Sequence, residues 1–136
     1  MDYRNLYARV RNAERSLRMG TNYYLVKNAP SIREPVHIGK SSAGWLFSFE
    51  IQEDPWWGDP KVEWHTYNQV KDTLKRLTVD SNEYVIMNEY DDIVLYDDFI
   101  ALVDRKQNDE LCQSNPDNFE YSTNVDGYRF QYGWFR

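Results

Sequence analysis

The chain is poor in the residues that hold metals, form disulfides and carry most covalent catalysis. Of its 136 residues, one is cysteine, Cys112, and two are histidine, His37 and His65. A single cysteine excludes an internal disulfide. Three soft ligands do not fill a four-ligand zinc site, so neither metal nor cofactor is expected. Such cysteine usage suits a reducing cytoplasm. Long apolar runs are also missing: none approaches the roughly 20 residues that a membrane span requires. The arginines near residue 1 are followed by no apolar stretch of the kind a signal peptide carries. No internal repeat and no low-complexity segment occurs.

Aromatic residues are plentiful. Eleven tyrosines, six phenylalanines and five tryptophans make 16% of the chain, a composition that disordered chains do not have. The length fits one domain, whose core can bury roughly two-thirds of the unfolded chain's surface. The net charge of −6 is uneven. Residues 1–18 hold five arginines against Asp2 and Glu14, a net of +3, so the remainder carries −9. An acidic body repels nucleic-acid phosphates and suits a basic partner protein.

Residues 2–18 read as an amphipathic helix, with Leu6, Val10, Ala13 and Leu17 on one stripe and the arginines largely elsewhere. This helix is expected to stand apart from a single α+β domain over residues 19–136, and it offers a second copy of the chain a surface for dimerisation. Thr21–Lys27 is β-prone. Val36–Ile38 reads as a short strand and Gly39–Gly44 as a turn. Trp45, Phe47 and Phe49 alternate with Leu46, Ser48 and Glu50, which predicts a strand with its aromatic face in the core. Residues 67–77 predict a helix capped by Thr66, Tyr84–Met87 a strand and Ile93–Leu95 another. Asp97 is placed to cap a helix over residues 98–106. Two aromatic β-runs, 119–123 and 128–135, flank Asp126-Gly127, a strong hairpin signal. The expected fold is α+β: an antiparallel sheet of about four to six strands with two packed helices.

Two segments invite a functional reading. In "DPWWGDP", Pro55, Gly58 and Pro60 exclude regular structure and place Trp56 and Trp57 in a loop beside Asp54 and Asp59. Tryptophan dominates binding hot spots, so these four residues are candidate partner contacts. In "VHIGKSSAGW", Gly39-Lys40-Ser41 has the ending of a Walker A loop. The first glycine of that motif is replaced by Glu34, Pro35 lies inside it, and a strand rather than a helix follows. A P-loop is therefore excluded. What remains is a turn in which His37, Lys40, Ser41 and Ser42 could hold one anion, such as a nucleotide phosphate. The plainer reading is a Gly-Ser turn. Asp91, Asp92, Asp97 and Asp98 lack the calcium-loop pattern and fit a turn and a helix start. No Ser-His-Asp or Cys-His arrangement can be argued, and no catalytic residue is assigned.

The motifs "MGTNYY" (19–24), "HIGKSSAGWLFSF" (37–49) and "NEYDD" (88–92) resemble a group of small uncharacterised proteins of bacteriophages and prophages. The resemblance covers roughly residues 19–106. It implies an accessory protein of the host cytoplasm that binds and modulates a host protein, as counter-defence inhibitors do. Many members of the group begin at the "MGTNYY" methionine and carry a Cys-x-x-Cys pair before the "HIGKSS" stretch. Here that segment reads "NAPSIREP", without cysteine. The leading expectation is thus a non-enzymatic binding protein. The alternatives are a protein that sequesters a nucleotide or other anion at the Lys40 turn, and more weakly a nucleotide hydrolase.

Overall fold

A computed structural model describes residues 20–29, 34–55, 58, 60–112 and 122–132. The expected basic helix over residues 1–18 lies outside the described residues, as do Trp56, Trp57 and Asp59.

Among the described residues nine strands and two helices follow one another. The strands are β1 (Thr21–Lys27), β2 (Val36–Ser41), β3 (Ser48–Glu50), β4 (Gln52–Glu53), β5 (Glu63–Trp64), β6 (Tyr84–Asn88), β7 (Ile93–Val94), β8 (Ser122–Val125) and β9 (Tyr128–Gln131). The helices are α1 (Tyr67–Lys75), which runs on into a π-helical turn over Arg76–Asp80, and α2 (Tyr96–Gln107). Seven strands form one sheet in the order β7-β6-β1-β2-β3-β9-β8, and β4 and β5 form a separate two-stranded ribbon. The class is α+β. The large sheet has one strand more than the sequence suggests. It is also mixed rather than purely antiparallel, because β3 and β9 run parallel, Phe49 against Phe130.

Alternation along the strands gives the sheet two unlike faces. Tyr23 and Leu25 of β1, Phe49 of β3, Ile86 of β6 and Phe130 of β9 turn one face toward the helices. Val70, Leu74 and Leu77 cover it from α1 and the turn after it, and Phe99 and Val103 from α2. The rings interlock: Phe49 stacks on Phe130 at 5.1 Å, Phe47 meets Phe99 edge-on at 5.4 Å, and Tyr23 lies 5.6 Å from Phe99. Tilted and edge-on pairs of this kind add to burial because ring edges and faces carry opposite partial charge.

α1 begins where Thr66 accepts a hydrogen bond from the Gln69 N–H, as its sequence predicts. α2 begins earlier than its sequence suggests. Leu95 occupies the cap position without a side-chain bond, and Asp97 and Asp98 lie in the first turn, where their charge complements the helix dipole. Trp45 departs from expectation as well. The turn that ends β2 covers residues 42–45, so Trp45 closes that turn at 37% exposure while Phe47 and Phe49 enter the core. At Asp126 and Gly127 the backbone takes φ of 53° and 85°, the left-handed pair that a tight two-residue hairpin demands.

Candidate functional site

The ribbon of β4 and β5 presents the first candidate. Gln52 pairs with Trp64 and Glu53 with Glu63, so paired strands flank the "DPWWGDP" segment. Its base is fixed firmly. Val62 and Trp64 are fully buried, and the Trp64 Nε1–H donates to the Glu50 carbonyl at 2.7 Å. Above them the Asp54 carboxylate accepts from the Val62 N–H at 2.8 Å, and the Asp54 N–H donates to the Val62 carbonyl at 3.1 Å. Gly58 closes a turn onto the Pro55 carbonyl at 2.8 Å. Asp54 therefore shapes the loop from inside. Exposed ion pairs flank the base, Glu53 with His65 at 2.7 Å and Lys61 with Glu63 at 2.9 Å.

The second candidate lies at the end of β2: His37, Lys40 and Ser41 belong to the strand, which runs past Gly39, where the sequence suggests a turn, and Ser42 follows it. The four residues do not share one face of the sheet. Lys40 pairs with Asn22, whereas Ser41 pairs with Thr21 on the opposite, helix-bearing face and is buried. An anion would need backbone N–H groups converging on it. Here the Trp45 N–H is spent on the Ser42 carbonyl at 3.2 Å, with Gly44 supplying the required φ of 80°. The turn instead offers carbonyls to a cation: the Lys106 ammonium of α2 donates to Ser42 O at 2.7 Å and Trp45 O at 3.0 Å. Burial lowers the pKa of Lys106 from its ordinary value.

His37 belongs to a third arrangement. The register of β1 against β2 slips between Tyr23 and Tyr24, which leaves Ile38 as an extra residue. This bulge places His37 beside Tyr24 on the second face, while Gly39 pairs with Tyr23 on the helix face. His37 is 4% exposed. Its Nε2 lies 2.9 Å from the Asn22 Oδ1 and its Nδ1 3.2 Å from the Glu50 Oε2. The Gln52 Nε2 bridges that Glu50 oxygen and the His37 carbonyl, each at 2.9 Å. At the other end the Glu89 Oε1 accepts from the Asn22 N–H at 2.8 Å. A polar chain Glu89–Asn22–His37–Glu50–Gln52, buried at Asn22 and His37 and open to solvent at Glu89, thus ties β1, β2, β3, β4 and the turn after β6. Buried polar groups must be satisfied in this way, and Arg129 and Gln131 are buried on the same face. Burial lowers the Arg129 pKa.

A histidine paired with a carboxylate has the components of a proton shuttle. Here each ring nitrogen already faces a protein oxygen, which leaves a structural role. Next to Tyr24 a cleft of about 520 Å³ opens over Val26 and Met87, bordered by Glu34, Glu89 and Asp91. Among the described residues its lining holds three acidic side chains and no lysine or arginine. Among the described residues no three His, Cys, Asp or Glu side chains converge as metal ligands, and no helix is long and apolar enough to cross a membrane.

Neither Asn22 nor Glu50 is visible as a partner of His37 in the sequence, because both are brought to it by strand pairing. No family model matches this chain, nor does any curated protein or solved structure.

Proposed function

We propose that this protein is a non-enzymatic binding protein that docks onto a partner protein with a basic surface and modulates it. In the setting that its motifs imply, that partner is a host protein and the binder a phage-type accessory protein of the counter-defence kind. The observation that carries this reading is the anchored β4–β5 hairpin. Trp64 and Val62 are buried at its base and Asp54 bonds across it, so the stem of this hairpin is fixed. Preorganisation of this sort lowers the ordering cost of binding. The tip sequence supplies Trp56 and Trp57 as anchors, and Asp59 with the acidic body supplies charge that steers a basic partner.

The test is affinity capture with the purified protein from host cells, identification of the retained protein, and titration of that protein in purified form. Trp56→Ala with Trp57→Ala is expected to weaken the purified complex at least tenfold, and added salt to slow its formation. Unchanged affinity in the double variant would remove the hairpin from the interface.

A further inference from the structure

The β7 edge of the large sheet carries a different surface. Among the described residues six large apolar side chains stand exposed, and three of them, Val79, Ile93 and Leu95, line a single cleft of about 490 Å³. They are 48%, 62% and 66% exposed. Tyr84 and Tyr96 also line the cleft, and Lys75 is the one cation among the described residues of its wall. Convergence of exposed aliphatic side chains on one groove marks an interaction surface, where scattered ones would not.

Among the described residues the groove lies along an open backbone edge. β7 is the outermost strand of the seven-stranded sheet. The Asn88 N–H bonds the Asp92 carbonyl, and Met87 then faces Ile93, and Ile86 faces Val94. Antiparallel ladders alternate bonded and non-bonded pairs. Ile86–Val94 is therefore the next bonded pair, and the N–H and C=O of Ile93 point away from the sheet.

The charge around this edge selects its occupant. Asp91 and Asp92 precede the strand, Asp97 and Asp98 follow it, and no basic residue lies between them. An antiparallel second copy would set these carboxylates against one another, and like charges across a strand pair are destabilising. An incoming strand with cations at its ends meets the opposite sign at both.

We propose that β7 is a docking edge for an extended segment of another protein, one with aliphatic residues at alternate positions flanked by lysine or arginine. Strand addition supplies main-chain bonds to Ile93. The alternate side chains enter the cleft beside Val79 and Leu95, and the flanking cations sit over the two aspartate pairs. The site is independent of the hairpin, and neither reading needs the other.

The probe is a fluorescent peptide, Lys-Lys-Val-Ile-Val-Ile-Lys-Lys, titrated into the intact protein. Two control peptides carry glutamate in place of lysine, or N-methyl groups on alternate backbone amides. The basic peptide is expected to bind saturably, and more weakly as salt rises. Ile93→Lys and Leu95→Lys, both at exposed positions, are expected to cut that affinity at least tenfold with circular dichroism unchanged. Both control peptides are expected to bind at least tenfold more weakly than the basic one. Three results would overturn the proposal: no saturable binding at low salt, equal binding by Ile93→Lys, or equal binding of the N-methylated peptide. Self-association of the wild type in sedimentation that Ile93→Lys abolishes would also overturn it, by giving the edge to a second copy.

Discussion

The Lys106 ammonium holds the carbonyl oxygens of Ser42 and Trp45 together, at 2.7 and 3.0 Å. One side chain from the end of α2 thereby sets the conformation of the turn between β2 and β3. Lys106→Met keeps the apolar stem and removes the donors. A stability loss of about 1–2 kcal/mol is expected, the scale of hydrogen bonds made by a charged group, read from urea unfolding.

Alkaline pH should act through tyrosine. Burial, then the hydrogen bond to Asp104 and that carboxylate's charge, raise the Tyr67 pKa far above its ordinary 10.0, and the Tyr67 hydroxyl donates to Asp104 at 2.9 Å. Burial pushes Tyr23 up to about 12. A group whose folded pKa is raised contributes stability that is fully present below its unfolded value and is lost as pH climbs toward the folded one. Between pH 10 and 12 the unfolded chain has released protons that the folded chain still holds. Stability to urea should therefore fall across that window, and Tyr67→Phe should make the fall shallower while costing about 1 kcal/mol at neutral pH.

Trp64 and Ile93 should respond in opposite ways. Trp64 is fully buried and its Nε1–H is bonded to Glu50, so Trp64→Phe both opens a void and orphans a carbonyl. A loss of about 2–3 kcal/mol is expected. Ile93→Lys should stay within about 0.5 kcal/mol of the wild type, because the side chain is already in water. Thermal melts of the two variants side by side are the check.

Gly39 is needed for space. A Cβ there would press into the Ser48 carbonyl and the Phe47 ring. Gly39→Ala should cost about 1–3 kcal/mol, the range of an overpacked core. Chemical unfolding reads it, and a neutral result would mean that β2 and β3 can part at that point.

Much of the fold is legible along the chain because its signals are local. Thr66 marks the start of α1, Asp126-Gly127 marks a tight turn, and alternation marks Phe47 and Phe49 as core. The harder features are non-local. Nothing near Ser48 announces that it will lie beside Arg129, and two-residue strands such as Gln52–Glu53 are too short to show a period. For the same reason the hairpin beneath the tryptophan loop reads as irregular from its prolines. The anion reading of the Lys40 turn assumed that neighbours in sequence share a face. Pairing with β1 instead sends Lys40 and Ser41 to opposite sides.

The parallel contact of β3 with β9 also bears on the order of events. β2 and β3 follow β1 through short connections and β7 follows β6 through a tight turn, but β6 already returns to β1 across residues 28–83. β9 comes last in the chain, and its strand partner β3 was made before the ribbon, both helices and β6. Closing a loop of that size is an entropic cost that only the finished contacts repay. Until then one side of Phe49 lacks its cover, so the seam between Phe49 and Phe130 sets when this sheet is complete.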